Sequence, residues 1–337
     1  MGWDILGQEW AANLLQQHIA SGQVRHAYLL TGPDGVGRRS LALRFAQALN
    51  CIQPPEPGQP CGACRPCLQI ARMQHPDLAV VRSEPDSNSI KVEQIRDLQP
   101  GLNLMPYEAR YRVALLLDFE QATASAQNAL LKTLEEAPER VILLLTADMP
   151  ENLLPTIVSR CEVMRLRPMA LEALAAALTQ RLEIEAGPAR LLAHLSGGCP
   201  GSALALHADP AALGQYRAWL DGLYAVLGAG RIERFRLAET IVKDKEKLRP
   251  ILRAWLLYWR DVMLLASGAA AALTHLDRED ELRALAAQLT FSQAHACVAA
   301  VEGALNDLDA NLNTRLLCEV LLLDLPTLRT AQPQPTG

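Results

Sequence analysis

Aromatic residues are scarce in this chain, at 4% of 337 residues, although half of all residues are hydrophobic. Leucine and alanine supply most of that apolar content, which favours helices together with some buried aliphatic strands. The length exceeds what one hydrophobic core usually organises. We therefore expect two or three domains, of mixed α/β and helical type.

An excess of positive charge is also missing, because 32 Lys and Arg residues stand against 37 Asp and Glu residues. No global positive field marks the chain as a nucleic-acid binder, so any DNA contact must be local or shared with a partner. The N-terminus lacks a charged segment followed by an apolar one, and no apolar run reaches the roughly 18 residues that suggest a membrane span. We expect a soluble, cytoplasmic protein with no membrane partner.

Four of the eight cysteines are clustered, and their spacing is C-x9-C-x2-C-x2-C: Cys51, Cys61, Cys64 and Cys67. Two-residue gaps let a tight turn direct successive sulfurs at one centre, so the pattern predicts a closed tetrahedral zinc site rather than disulfides. An iron-sulfur cluster is the alternative, although Ala71 stands where a ferredoxin run would have its next cysteine. The remaining cysteines are scattered and are predicted to be buried structural thiols: Cys161, Cys199, Cys297 and Cys318.

A short apolar run at 26–31 leads into Gly32-Pro-Asp-Gly-Val-Gly37, and helical spacing follows over 40–49. This order predicts a strand, a glycine loop and a helix, with Gly32, Gly35 and Gly37 as the skeleton of a phosphate-binding P-loop. A complete P-loop continues with Lys and a magnesium-binding hydroxyl, whereas this chain has Arg38 and Arg39. Arg38 can still touch a phosphate, but Arg39 cannot ligate Mg²⁺, so nucleotide binding stays an open question.

Further apolar runs at 78–81, 113–117, 141–145 and 163–166 are typical of parallel strands that are covered on both faces. Asp118 closes the second of these runs, where a Walker-B carboxylate would face the P-loop. Phe119 stands at the position of the water-activating Glu. In an extended segment the side chain of Glu120 would turn to the opposite face.

Several segments together resemble the clamp-loader branch of the AAA+ proteins: the glycine loop, the clustered cysteines, His75-Pro-Asp77, the helical segment 128–138 and Ser159-Arg160-Cys161. The apolar segment 311–323 is similar to the final helix of the delta-prime subunits in that branch, and the resemblance covers about residues 3–325. His75 is expected to be a loop histidine, because four cysteines already complete a metal shell.

The resemblance implies a subunit of a DNA-directed DNA polymerase assembly, with no activity of the isolated chain. It implies an open five-membered ring with gamma or tau and delta subunits that loads a sliding clamp on primer-template DNA during replication. Arg160, with Ser159 and Cys161, matches the arginine finger that this family points into the ATP site of a neighbour. ATPase members of the family have a sensor-2 Arg at the position of Gly201. This difference, together with Arg38 and Phe119, implies that the chain does not hydrolyse ATP. An autonomous AAA+ ATPase and an iron-sulfur or redox-sensing protein are the alternatives.

Strand signals end near Arg167, and Leu/Ala periodicity follows. We expect an AAA+ (RecA-like) α/β domain at 1–167 with its zinc module at about 51–67, a small helical lid domain at 168–207, a helical collar domain at 208–326 and a disordered tail at 327–337. Trp255, Tyr258 and Trp259 could suggest base stacking, but so apolar a segment predicts packing within the helical domain.

Overall fold

The computed structural model describes residues 3–84, 87, 89–309 and 313–329. These residues form two compact units. The first comprises the described residues through Leu182 together with Gly198–Ala203, and the second comprises Glu183–Gly197 together with the described residues from Leu204 onward. The three-way division at 167 and 207 stays a prediction.

A five-stranded, all-parallel sheet in the order β2-β3-β4-β1-β5 forms the centre of the first unit. Its strands are β1 Ala27–Thr31, β2 Leu78–Val81, β3 Arg112–Leu116, β4 Val141–Ala147 and β5 Glu162–Arg165. In the register, Leu29 lies opposite Leu145 on one side and Val163 on the other. The predicted parallel sheet is confirmed.

Helices cover both faces of this sheet, which is why β1 and β4 are buried along their whole length. The helices of this unit up to Leu182 are α1 Glu9–Ala20, α2 Arg38–Asn50, α3 Arg65–Ala71, α4 Val92–Leu102, α5 Ala124–Glu135, α6 Pro155–Val158 and α7 Leu171–Leu182, of which α1 to α6 contribute to the cores on the two faces. Because side chains alternate along a strand, Tyr28 joins the core that contains Phe45 of α2, and Leu29 joins the core that contains Leu130 of α5.

Beyond Arg165 no strand occurs in the described residues, as the sequence predicts. The helices there are α8 Ala186–Leu195, α9 Pro200–Ala208, α10 Pro210–Leu227, α11 Arg231–Ile241, α12 Lys245–Ala266, α13 Glu279–Ala286, α14 Phe291–Asp309 and α15 Thr314–Asp324. Trp255, Tyr258 and Trp259 of α12 are fully buried in the core of the second unit, which confirms the prediction of packing. No helix of the described chain is both long and apolar enough to cross a membrane.

The scattered cysteines are mostly buried, as predicted. Cys199 packs in the core of the first unit, and Cys297 and Cys318 pack in that of the second. Burial raises the pKa of Cys297 to about 11 and that of Cys318 to about 12, so both are thiols at neutral pH. Cys161 is only partly buried.

The end of the described chain is anchored to the second unit. Buried Arg234 donates hydrogen bonds to the carbonyls of Leu322, Leu325 and Pro326, which lie at and just after the end of α15. Leu328 is buried, and its N–H donates to the Leu227 carbonyl at 2.8 Å. The chain is thus packed past the predicted tail boundary at 327, and residues 330–337 lie outside the described part.

Candidate functional site

The four predicted metal ligands come together between α2 and α3. Cys51 directly follows α2, Cys67 lies on α3, and Cys61 and Cys64 come from the loop. Their sulfurs all lie within 4.8 Å of one another, and the sulfurs of Cys51 and Cys64 are 3.9 Å apart. A tetrahedral zinc ion with four bonds of about 2.3 Å separates its sulfurs by roughly 3.8 Å. Both the donors and the spacing therefore fit one metal ion.

Backbone N–H groups also face these sulfurs. The N–H of Cys61 donates to Cys51 Sγ and that of Cys64 donates to Cys61 Sγ, each at 3.3 Å. Burial opposes ionisation of Cys61, but N–H donors from Ala63 and Cys64 outweigh it and lower its pKa to about 6. Burial raises the pKa of Cys51 and Cys67. A bound cation would supply the charge needed to hold all four as thiolates.

His75 is buried but is not part of the cysteine cluster found in the described residues. Its Nδ1 accepts the N–H of Asp77 at 3.0 Å. The buried carboxylate of Asp77 accepts the N–H groups of residues 107–109 and lies 3.0 Å from Arg112 Nη2. Burial by itself would raise the pKa of Asp77, but these donors and Arg112 lower it. The His75-Pro-Asp77 motif therefore fixes the loop that precedes β3.

The loop after β1 is the predicted phosphate loop, and α2 begins immediately behind it. Gly32, Gly35 and Gly37 have φ angles of 145°, 74° and 110°, which glycine adopts without strain. The start of α9 lies directly against this loop. The N–H of Gly201 donates to the Gly35 carbonyl at 2.7 Å, and a Cβ on Gly35 would lie only 2.0 Å from Ser202 Oγ. The chain itself thus covers the loop at Gly35.

The side chain of Arg38 is turned inward, with 7% of its surface exposed. Its Nη2 lies 2.6 Å from Asp34 Oδ1 and 3.2 Å from Asp118 Oδ1. Asp118 follows β3 with a φ of 48°, and its N–H donates to Thr146 Oγ1 of β4. The structure therefore brings Asp118 to the predicted phosphate loop, where it shares the Arg38 guanidinium with Asp34.

The segment after Asp118 departs from the prediction. Phe119–Gln121 forms a 3-10 turn, so the predicted extended path through Glu120 is wrong. Phe119 is fully buried in the core that contains Leu130. Burial raises the pKa of Glu120 to about 6; the charges of Asp148 and Asp118 add to the rise, and that of Arg38 opposes it. Glu120 Oε2 is buried and has no hydrogen-bond partner in the described structure.

Arg160 lies in the turn between α6 and β5, with 34% of its side chain exposed. Its Nη2 donates to Glu135 Oε1 at 2.7 Å, and its Nη1 donates to the Thr156 carbonyl at 2.9 Å. Ser159 Oγ accepts from the same Nη1 at 3.4 Å. Burial raises the pKa of neighbouring Cys161 to about 12, so this thiol stays neutral. The motif thus presents a partly exposed guanidinium that one carboxylate holds.

Three acidic residues at these sites are not among the predicted site residues. Asp34 precedes Arg38 by four positions but lies in the glycine loop before α2, so helical spacing does not signal their contact. Asp148 follows β4 at the carboxyl edge of the sheet, where functional side chains collect. Glu135 is 25 positions from Arg160, and no local pattern signals their contact.

Two family descriptions match the chain: "DNA polymerase III, delta subunit" over residues 7–170 and "DNA polymerase III, delta subunit, C terminal" over residues 212–327. The DNA polymerase III subunit delta' of Bacillus subtilis (strain 168) is 31% identical over 316 residues, which cover 93% of this chain and 94% of that protein. This chain belongs to the delta-prime family of DNA polymerase III subunits. The family predicted from the sequence motifs is confirmed.

Other similarities are weaker or shorter. Subunit tau of DNA polymerase III from the same organism is 32% identical over 208 residues, which cover 60% of this chain but only 36% of tau. A crystal structure of a DNA polymerase III gamma subunit-related protein from Thermotoga maritima has a TM-score of 0.51 and 17% identity, and the match covers 93% of this chain and 97% of that one. This delta-prime family member therefore shares its fold with that gamma subunit-related protein.

Proposed function

We propose that this chain is a clamp-loader subunit of DNA polymerase III that does not hydrolyse ATP and that supplies Arg160 to ATP held by an adjacent gamma or tau subunit. The observation that carries the proposal is a contrast between two arginines of one α/β unit. Arg38 is buried against the chain's own carboxylates, whereas Arg160 is partly exposed. The guanidinium of Arg38 is bound within the chain, and that of Arg160 is accessible to a partner.

The chain lacks the side chains that ATP hydrolysis at its own phosphate loop would require. The phosphate loop has no Lys, and Arg39 stands where a magnesium-binding hydroxyl is required. Phe119, at the position of the water-activating Glu, is a core residue. Gly201 has no side chain to reach a phosphate, and its N–H is bonded to Gly35. Each of these features opposes a cis ATPase, and none of them opposes a role at a neighbour's site.

The chemistry of a trans-acting finger suits Arg160. Phosphoryl transfer spreads negative charge over the equatorial oxygens of the γ-phosphate, and a planar, permanently charged guanidinium can donate to several of them. The contacts of Arg160 within the chain use three of its five N–H donors at most. At least two donors can therefore serve an acceptor on another subunit.

The second unit offers a surface for assembly. Leu316 and Val320 of α15 are 59% and 48% exposed, and with Gly303 of α14 they line a groove of about 480 Å³. An exposed apolar surface of this kind marks a contact site. We assign it to packing against gamma, tau or delta subunits in a helical collar, while the sliding clamp and primer-template DNA are reached through the complex.

We assign zinc to the cysteine cluster. Four sulfurs around one point suit a single ion, whereas an iron-sulfur cluster distributes its four thiolates over two or four irons, which spreads the sulfurs apart. The ion would stabilise the loop between α2 and α3 locally, since the sheet beside it has its own core.

Clamp loading by a reconstituted complex tests the proposal. Gamma or tau, delta and this chain are combined, and loading of the sliding clamp onto primed DNA is compared for wild type and Arg160→Ala. Native mass measurement establishes equal incorporation of both chains. We expect slower loading with Arg160→Ala and no ATP turnover by the isolated wild-type chain. Equal loading by both complexes, or turnover by the isolated chain, would refute the corresponding part of the proposal.

A further inference from the structure

Glu135 is the only carboxylate that the described structure pairs with Arg160. It is the last residue of α5, and its Oε1 accepts a hydrogen bond from Arg160 Nη2 at 2.7 Å. On the other side of the guanidinium, the Thr156 carbonyl of α6 accepts from Nη1. Two acceptors from two different helices thus fix the direction in which the guanidinium points.

The two helices are themselves held in place. Leu130 and Leu134 of α5 and Ile157 of α6 are buried in one core. Gln127 of α5 accepts the N–H of Leu154, just before α6, at 2.9 Å. The separation between Glu135 and the Arg160 backbone is therefore set by packed elements rather than by a mobile loop, as positioning of a reacting group requires.

The pair contributes little to folding, because both side chains are solvent-exposed in part: 34% for Arg160 and 51% for Glu135. Exposed ion pairs are largely offset by solvation and side-chain entropy. Its effect lies instead in restricting the rotamers of a long side chain, which would otherwise sample many directions. An arginine already oriented toward a phosphate loses less entropy in the transition state.

We propose that Glu135 is a positioning residue that orients the Arg160 guanidinium toward the ATP of the adjacent subunit. The inference rests on the proposed function of Arg160. Glu135 acts through its hydrogen-bond acceptor, not through its charge, because a second negative charge beside a triphosphate would oppose binding. A glutamine at 135 retains an acceptor at Oε1 and therefore preserves the orientation, whereas an alanine does not.

The test measures ATP turnover by the complete complex with clamp and primed DNA present, for Glu135→Ala, Glu135→Gln, Arg160→Ala and the double variant Glu135→Ala/Arg160→Ala. Glu136→Ala is the matched control, since Glu136 is the exposed neighbour of Glu135. We expect Glu135→Ala to reduce the Arg160-dependent part of kcat by about two- to fivefold with KM unchanged, a range that the loss of one partly exposed hydrogen bond can supply. Glu135→Gln and Glu136→Ala stay within about twofold of wild type.

The double variant separates positioning from other effects. If Glu135 acts only through Arg160, the double variant turns over ATP at the rate of Arg160→Ala alone. Wild-type turnover by Glu135→Ala, faster turnover by it, or additive losses in the double variant would each overturn the proposal while the finger role stands. If Arg160→Ala itself has no effect, the proposed function fails, and the positioning role fails with it.

Discussion

The guanidinium of Arg38 lies 3.2 Å from the carboxylate of Asp118, so an arginine of the predicted phosphate loop faces the acidic residue at the predicted Walker-B position. The same nitrogen, Arg38 Nη2, lies 2.6 Å from Asp34 Oδ1. In an active site of this kind, a lysine and Mg²⁺ share these charges with the nucleotide. Here one guanidinium faces two carboxylates of its own chain.

Restoring the loop chemistry alone will not restore hydrolysis. The double substitution Arg38→Lys/Arg39→Ser recreates the Gly-Lys-Ser order of a P-loop. We expect phosphate release by the isolated variant to stay at the wild-type background, because Phe119 still occupies the core and Gly201 still lies on Gly35. Steady turnover that follows the variant through purification would show that these two features do not suppress catalysis.

Glu120 is expected to lower the free energy of unfolding by an amount that depends on pH. Its pKa is raised to about 6 in the fold, with Asp148 and Asp118 adding to burial and Arg38 opposing it. The folded state therefore binds more protons than the unfolded state between about pH 4.5 and 6, and stability falls as pH rises through that range. Glu120→Gln should stabilise the protein at pH 7 by about 1–2 kcal/mol, with a smaller gain below about pH 5.

Urea unfolding at several pH values measures this gain. Glu139→Gln is the control, because Glu139 is exposed and should show no such trend. A gain for Glu120→Gln that is constant with pH, or a loss at pH 7, would contradict the assignment of a raised pKa.

The cysteine cluster predicts a single zinc ion per chain that survives washing with a weak chelator. Cys64→Ser should lose the metal and increase hydrogen exchange over residues 51–67 without unfolding the sheet. Cys297→Ala, which changes a buried thiol of the other unit, should retain it. Metal analysis for zinc and iron identifies the ion that the cluster holds. A brown protein that contains iron, or a colourless protein without either metal, would refute the zinc assignment.

Substitution of the buried Asp77 is expected to destabilise the fold. Asp77→Asn weakens a buried contact to Arg112 and to the N–H groups of residues 107–109, so we expect a loss of about 2–4 kcal/mol at pH 7. Because the fold lowers the pKa of Asp77, its stabilisation is present above about pH 4 and is lost as pH falls through the folded value. The difference between wild type and variant should therefore narrow in acid.

Chemical denaturation of Asp77→Asn beside Asp97→Asn, an exposed control on α4, measures that loss. Equal stabilities for the two variants at neutral pH would mean that the Asp77 contacts contribute nothing to the fold.

Features encoded by local pattern could be predicted from the sequence. The spacing of Cys61, Cys64 and Cys67 brings the sulfurs to one centre by turn geometry alone, and continuous apolar runs mark strands that are covered on both faces. The same holds for Trp255 and Trp259, whose segment is too apolar for an exposed stacking surface.

Features that arise from tertiary packing could not be predicted from the sequence. The contact between Glu135 and Arg160 joins the ends of two helices, and the contact between Gly201 and Gly35 joins segments far apart in sequence. The turn at Phe119–Gln121 departs from the prediction because the strand pattern ends before it, at Asp118, whose positive φ redirects the chain.

Counting the hydrolysis events in one loading cycle tests the central claim most directly, because it isolates the site beside this chain from the other ATP sites of the ring. Rapid-quench measurement of the phosphate burst compares complexes that carry wild type, Arg160→Ala or Arg160→Lys, each with verified incorporation. Arginine fingers in other NTPases accelerate turnover by about 10³ to 10⁵. We predict that both variants lose the share of the burst that belongs to one site, with lysine a poor substitute because it lacks the planar fork. A full burst with Arg160→Ala would show that Arg160 serves no neighbouring ATP.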